Sequence, residues 1–344
     1  MRAVVLVGGV GTRLRPLTLR TPKQMLPVAG RPMIEWVVSH LGAHGVDEVV
    51  LSLGYRPDTF QRAYPDATCA GVRLVYAVEA QPLDTAGAIR FAATEAGIDE
   101  RFLVVNGDVL SELDVSALVA FHDEAHRAHG ALATIALTPV DDPTAYGVVD
   151  TDSDGRVRAF VEKPAPGEAT SHDINAGCYV LEPEVLERIP ADRRVNIERE
   201  TFPALVADGL VWARSQPGWW VDVGTPERYL QASLDLLDRG AGRGEAGHVA
   251  DSAMVATSAV VTRSVLGPGC RIGRNARVEG SLVFSRAVIG NGATVSGSIV
   301  GASALVGDAA SVTALSVLGN GTEVEGGASL AGAVLPHPDT WPSA

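Results

Sequence analysis

The chain has 344 residues, of which 46% are hydrophobic and 20% charged, and its formal net charge is −13. This length predicts about two domains of ordinary globular composition, and no apolar run reaches the ~18 residues of a membrane span. The acidic balance excludes a broad basic face for a nucleic acid polymer, but leaves room for a small phosphate ligand in a local positive pocket. Cys69, Cys178 and Cys270 are scattered and odd in number. They form neither a disulfide framework nor a zinc knuckle. With no signal-peptide cleavage region after the first apolar stretch, they point to a reducing cytoplasm.

The first two-thirds alternate apolar runs with helical patterns, which predicts an α/β domain with a mixed, mostly parallel sheet. Val4 to Val7 read as a buried strand that runs into the loop Gly8-Gly9-Val10-Gly11. A helix is expected over Met33–Ala43, strands over Glu48–Leu53 and Val72–Val78, and a helix from Asp84-Thr85 to about Ala96. Phe102–Val105 should be the next strand, ending in Asn106-Gly107-Asp108. Ligands in such folds collect at the carboxyl ends of strands, so Gly8–Gly11, Glu79 and Asp108 could share one crevice.

The middle is richer in strands. They are expected at Ala131–Val140, Tyr146–Val149, Val157–Glu162 and Ala176–Leu181, with a hairpin turn at Asp152-Ser153-Asp154-Gly155. Asn196–Asp208 reads as helical and Trp219–Val223 as a short strand. Thr225-Pro226-Glu227 then opens a helix that fades at Asp238. These residues, 1–238, form the expected catalytic domain. Residues 239–248 form a glycine-rich linker, and 336–344 a tail.

Between linker and tail, over 249–335, aliphatic residues recur at steps of six and five. The series runs Val249, Val255, Val261, Leu266, Ile272, Val278, Val283, Ile289, Val295, Val300, and continues to Leu330. This hexapeptide period predicts about five triangular coils of a left-handed parallel β-helix. A third corner carries Val265, Leu282, Ile299 and Val334, with Ser316 as the exception.

Chemistry concentrates in a few places. Only two of the 28 basic residues are lysines, Lys23 and Lys163, and both adjoin proline. A compact ammonium fits a tight phosphate pocket where a planar guanidinium does not, which marks both as site residues. The glycine loop lacks the third glycine of a dinucleotide fingerprint and the Gly-Lys-Ser/Thr of a P-loop. Its backbone N–H groups could still cradle phosphates, and Arg13, Arg15, Arg20 and Lys23 cluster behind it.

The run Gly8-Gly9-Val10-Gly11-Thr12-Arg13-Leu14-Arg15-Pro16-Leu17-Thr18, followed by Pro22-Lys23-Gln24-Met25-Leu26-Pro27-Val28, resembles the signature of sugar-1-phosphate nucleotidyltransferases. Further matches follow in order: Pro82–Gly87, Asn106–Asp108, Tyr146–Val149, Glu162–Pro164, Asn175–Gly177 and Asp222–Pro226. The resemblance spans the chain, since some branches append a β-helix, and the bacterial mannose-1-phosphate guanylyltransferase type is nearest. It implies a Rossmann-like catalytic domain and attack by a sugar 1-phosphate on the α-phosphorus of a nucleoside triphosphate, with pyrophosphate leaving. It also implies the roles of individual residues. Gly8, Gly9, Gly11, Thr12, Arg13, Glu79, Gly87 and Asp108 would meet the nucleotide. Arg13, Lys23 and Lys163 would serve the reacting phosphates, and Gly147, Glu162, Lys163 and Asn175 the sugar phosphate. Asp108 and Asp222 would bind Mg²⁺, whose hardness suits carboxylates.

Guanine offers two adjacent donors, N1–H and N2–H₂, which a carboxylate such as Glu79 matches, whereas thymine and uracil suit an amide. Gln81, two residues on, is the alternative reader. Asp84 stands where relatives commonly have glycine, and could repel phosphate, bind a sugar hydroxyl or cap the helix, the cap being favoured. GTP and mannose 1-phosphate are the leading substrates. The rivals are a thymidylyl-, uridylyl- or adenylyltransferase for another sugar or cyclitol phosphate, and a non-catalytic regulatory subunit. An acyltransferase in the solenoid is disfavoured because its coils contain no histidine. All expected catalytic residues precede the linker, so the solenoid is expected to serve stability or homo-oligomer formation.

Overall fold

A computed structural model describes residues 1–165, 167–191, 193–241 and 247–342. Half of the expected linker, residues 242–246, lies outside the described residues, as do the last two of the tail. The chain forms two compact units. One contains Met1–Gly9 and Ile34–Val221; the other contains Val10–Met33 and everything from Asp222 onward.

The first unit is built on a ten-stranded mixed sheet. Four parallel strands lie in the order Val72–Val78, Glu48–Leu53, Arg2–Leu6, Phe102–Asn106. Next to Phe102–Asn106 the pattern turns antiparallel with Asp173–Leu181, then Gly147–Thr151 and Val157–Glu162. The hairpin turn forms as its residues dictate: Asp152 Oδ1 accepts the N–H groups of Asp154 and Arg156, and Gly155 takes φ 80°. Strand Ala133–Pro139 joins Asp173–Leu181 and pairs in parallel with Val211–Ser215. One face of this sheet buries Val4, Val50, Val104, Ile135 and Tyr179 against Ile89, Ala92, Phe202 and Leu205 of the covering helices.

Helices Pro57–Ala63 and Val115–His129 and strands Val109–Ser111 and Val211–Ser215 were not legible in the periodicity. Helix Val115–His129 has clear punctuation, since Asp114 caps it through the N–H of Ala117 and Gly130 ends it at φ 71°. Its buried face, however, is Val115, Leu118, His122 and Ala125, and the histidine breaks the apolar stripe. The expected helix at Asn196–Asp208 begins as a wide turn, Ile197–Thr201, before the α-helix Phe202–Ala207.

In the second unit the helix Pro226–Leu236 is capped by Thr225, as its sequence requires. The solenoid that follows has three parallel sheets of six, five and five strands, running from Gly247–Val249 to Val334–Leu335. Leu266, Ile272, Val278 and their counterparts in later coils fill its core, together with Cys270, Ala276, Ala287 and Ala293. Ser316 is not an exception at the third corner. Ile299 pairs with Val317, so Ser316 falls in register with Ser264, Ser281 and Ser298. That coil carries one extra residue, taken up where Ala314 and Leu315 turn at φ 52° and 59°.

Candidate active site

In the first unit the sequence-marked residues line one edge of the sheet. Gly8 follows the central strand Arg2–Leu6, Glu79 follows Val72–Val78, and Asp108 follows Phe102–Asn106. The strand order reverses between Arg2–Leu6 and Phe102–Asn106, the kind of switch point at which α/β sheets bind ligands. Gly107 fits there because it has no side chain: a β-carbon would stand 2.7 Å from Val7 Cγ1 and 2.8 Å from the Leu6 carbonyl. The antiparallel strands continue the row. Gly177 abuts Asn106, Asn175 precedes it, and Gly147 pairs directly with Glu162.

Glu79 is a fixed carboxylate. Ser52 Oγ donates to its Oε1 at 2.9 Å, and the Leu83 N–H donates to Oε2 at 3.0 Å. Gly8 lies beside it, its missing β-carbon 3.7 Å from Oε1. Gly8 and Gly9 are exposed, so their backbone is open to a ligand. Gly87 is placed differently. It is buried, its N–H goes to the Val195 carbonyl at 3.2 Å, and a β-carbon would meet Leu83 Cβ at 2.8 Å. Its want of a side chain serves close packing. Asp84 has φ 62°, the left-handed conformation that the glycine of relatives adopts readily. Its Oδ1 accepts the Thr85 N–H at 2.8 Å and Asn196 Nδ2 at 3.0 Å. Asp84 is the first residue of the helix and Leu83 stands at the cap with no side-chain bond, so the carboxylate ties the helix start to Asn196 and is not the expected cap.

On the antiparallel side of the sheet, a β-carbon at Gly147 would stand 2.8 Å from Phe160 Cζ and 3.0 Å from Glu162 Oε2. The backbone of Gly147 therefore opens directly beside that carboxylate. Lys163 takes φ 52°, with its N–H bonded to the Tyr146 carbonyl at 2.9 Å. Strain of this kind costs about 1–3 kcal/mol and persists where the surroundings hold it. It turns the side chain outward, 58% exposed, with Nζ 3.5 Å from Glu162 Oε1. Asn175 Oδ1 accepts the Gly177 N–H at 2.9 Å, and Nδ2 donates to the Tyr179 hydroxyl at 2.8 Å, which fixes the amide.

Sequence reasoning missed Glu198. It sits in the wide turn Ile197–Thr201 and accepts Thr85 Oγ1 at 2.9 Å. Burial raises its pKa, with the charges of Glu162 and Asp84 adding to that, while the bond from Thr85 opposes it. Asn196, Val195 and Glu198 together stitch this turn to Asp84–Gly87. A signal was available in Asn196 as a helix cap followed by two acids, but it reads equally as an exposed first turn.

In the second unit the signature folds back on itself. Gly11 takes φ 67°, its carbonyl accepts Thr18 Oγ1 at 2.7 Å, and a β-carbon there would meet Thr18 Cγ2 at 3.1 Å and Lys23 Cβ at 3.2 Å. Thr12–Leu14 form a single 3₁₀ turn that exposes Thr12 and Arg13. Lys23 is buried at 6% exposure. Gln24 beside it is also buried, and its Oε1 lacks a hydrogen-bond partner among the described residues. A β-carbon at Gly224 would stand 3.1 Å from Arg13 Nη2 and 3.2 Å from Asp222 Oδ1, so the guanidinium and the carboxylate flank one glycine.

One other cluster has metal-ligand chemistry. His122, His126 and Glu182 bring three ligand atoms within 4.8 Å of one another. Glu182 Oε1 already accepts Arg101 Nε at 2.7 Å and faces His122 Nε2 at 3.1 Å, while His126 Nδ1 meets the Ala131 carbonyl at 2.8 Å. A guanidinium bonded to the shared oxygen disfavours a dication, so this is a buried polar network.

An α/β sheet with a glycine loop at its switch point, followed in the sequence by a β-helix, defines a nucleotide-handling enzyme class. The comparisons agree. A family model described as "Nucleotidyl transferase" matches residues 2–239, and one described as "EIF2B subunit epsilon LbH domain", a left-handed β-helix, matches residues 227–330. The chain is 42% identical over 292 residues to "Mannose-1-phosphate guanylyltransferase" of Mycobacterium tuberculosis, covering 82% of this chain and 79% of that one. It is 38% identical over 292 residues to "Mannose-1-phosphate guanylyltransferase 1" of Arabidopsis thaliana, covering 84% and 79%. The crystal structure of HddC from Yersinia pseudotuberculosis complexed with GMP-PN superposes with a TM-score of 0.57 at 29% identity, over 68% of this chain and 99% of that one. The chain belongs to the nucleotidyl transferase family, and it is an enzyme that joins a nucleoside triphosphate to a sugar 1-phosphate.

Proposed function

We propose that the enzyme is a mannose-1-phosphate guanylyltransferase, making GDP-mannose and pyrophosphate from GTP and mannose 1-phosphate. The base assignment rests on Glu79. Each of its oxygens accepts one protein donor and keeps acceptor capacity, so this fixed carboxylate could accept guanine's N1–H and N2–H₂. The guanylyltransferase names of the relatives, and the guanine nucleotide in the related crystal structure, support the same choice.

The chemistry needs in-line positioning and charge neutralisation rather than a protein nucleophile. The Gly8–Gly11 backbone and Thr12 cradle the triphosphate, and Arg13 and Lys23 offset its charge. Lys163 holds the sugar phosphate oxygen that attacks. Glu162, Asn175 and the Gly147 backbone take the sugar hydroxyls. The family resemblance assigns Mg²⁺ to Asp108 and Asp222, both partly buried carboxylates whose hardness suits the ion; it would neutralise developing phosphate charge. Three free, buried cysteines fit the reducing cytoplasm. Among the described residues no helix is long and apolar enough to cross a membrane.

The test is a matrix of five nucleoside triphosphates against several sugar 1-phosphates, with and without chelator, scoring pyrophosphate release. GTP with mannose 1-phosphate and metal should give the highest kcat/KM. Glu79→Gln should lower the GTP-over-dTTP ratio by about 1–3 kcal/mol, because an acceptor becomes a donor facing guanine's N–H. If the ratio is unchanged there but collapses in Gln81→Ala, the reader is Gln81.

A further inference from the structure

The signature segment belongs to the same compact unit as the solenoid, and four contacts anchor it there. Arg15 Nη1 donates to the Pro342 carbonyl of the C-terminal tail at 3.1 Å. Pro16 packs on the last coils, where a β-carbon at Gly319 would stand 3.1 Å from Pro16 Cβ. The Tyr229 hydroxyl donates to the Pro27 carbonyl, and the Tyr229 ring meets Phe284 of the solenoid edge-on at 6.3 Å. Gly30 lies under the His248 imidazole, where a β-carbon would fall 2.2 Å from Nε2.

We infer that the solenoid and its tail are the seat of the nucleotide loop, and that Arg15 is a positioning residue acting on Arg13. The mechanical link is short. The Leu14 and Arg15 N–H groups bond to the Gly11 and Thr12 carbonyls at 3.0 and 3.2 Å, which makes Thr12–Arg15 one hydrogen-bonded turn with Arg13 inside it. Thr18 ties the turn's start at Gly11, and Arg15 ties its end to the tail. A cleft of about 330 Å³ lies alongside, lined by Met25, Leu26 and Pro27 on the signature and by Phe284, Ala302 and Asn320 on the solenoid. That side of the segment is therefore not filled by packing, and the turn depends more heavily on its end anchors. On this inference the solenoid bears on chemistry, where stability or association alone was expected. An arginine fits this anchoring role because its fork can hold a carbonyl at the end of a long reach without entering the phosphate pocket.

The inference rests on Arg13 meeting the triphosphate. The experiment compares four full-length or near-full-length proteins with wild type: Arg15→Ala, Arg15→Lys, a chain ending at His337, and that shortened chain carrying Arg15→Ala. Arg277→Ala, at an exposed position on a solenoid strand that does not line this cleft, is the control. KM is measured for GTP and for mannose 1-phosphate, together with kcat and Tm. We expect Arg15→Ala and the shortened chain each to raise the GTP KM about tenfold, with the mannose 1-phosphate KM within twofold and Tm nearly unchanged. Arg15→Lys should recover part of the loss, and the combined variant should be no worse than either alone, because both remove one contact. Additive effects in the combined variant, or an unchanged GTP KM in Arg15→Ala, would overturn the inference. If shortening lowers Tm, Arg15→Ala alone decides. A wild type that uses another triphosphate would overturn the guanylyl assignment but not this one, since the same KM comparison then applies to that triphosphate.

Discussion

Lys163 is one of two lysines in an arginine-rich chain, and it sits at φ 52° directly before Pro164. Its ammonium lies 3.5 Å from Glu162 Oε1, beside the pairing of Gly147 with Glu162. Replacement by arginine keeps the charge but sets a larger, planar donor array beside Glu162. Lys163→Arg should therefore lower kcat/KM for the sugar phosphate by on the order of 10- to 100-fold, while Tm holds. Wild-type kinetics for that variant would remove the argument from lysine scarcity. A second residue-scale outcome concerns His122, which is fully buried between Thr134 Oγ1 at 2.7 Å and Glu182 Oε1 at 3.1 Å. Burial pushes its pKa down to about 4 from the usual 6.5, the bond to Glu182 opposing. Between these values the unfolded chain takes up a proton that the folded chain refuses. Stability from this group is full above pH 6.5 and lost as pH falls towards 4, by on the order of 2–3 kcal/mol. Urea unfolding at pH 7.5 and pH 4.5 should show that slope, and His122→Gln should flatten it.

At the scale of elements, the solenoid corner is held by a serine ladder. Ser281, Ser298 and Ser316 each donate their N–H to the hydroxyl of the serine one coil before, at 3.1 to 3.2 Å, and all four serines from Ser264 onward are buried. Each hydroxyl also donates to a carbonyl just before it, as Ser281 does to Glu279 at 2.7 Å. Ser281→Ala would strand the Ser298 N–H in a buried corner and should cost about 1–3 kcal/mol. Ser258→Ala, at an exposed corner where the hydroxyl accepts the Asn275 N–H, should cost much less. Equal losses in chemical denaturation would mean that the ladder is not the corner's support. The six-residue aliphatic period was plain in the sequence, whereas the ladder was not. Serine is common in turns, and the one-residue insertion near Ala314 hid Ser316's register until strand pairing fixed it.

For the whole molecule, the first coil leaves three aliphatics exposed together, Met254 at 51%, Val255 at 38% and Val260 at 46%, against Leu305 at 39% in a later coil. We propose that this end of the solenoid joins copies of the chain. Light scattering should give a mass above one chain of 35.8 kDa, and Met254→Glu with Val260→Glu should lower it without changing Tm. A monomeric wild type would remove the proposal.

What the sequence determined by itself was whatever depends on local pattern: the alternation that makes the sheet, the period that makes the solenoid, the cap at Thr225, and the long signature from Gly8 to Val28. These follow from side-chain spacing and backbone preference, which neighbouring residues settle among themselves. Tertiary structure decided the rest. Gly87 donates its N–H to the Val195 carbonyl, Asp84 finds Asn196 at 112 residues' distance, and Glu198 arrives beside Thr85 from 113 residues away. Arg15 reaches a carbonyl 327 residues on. Contacts across such separations leave no periodic trace, because a hydrogen bond fixes only the two groups it joins and the residues between them remain free to be anything that folds.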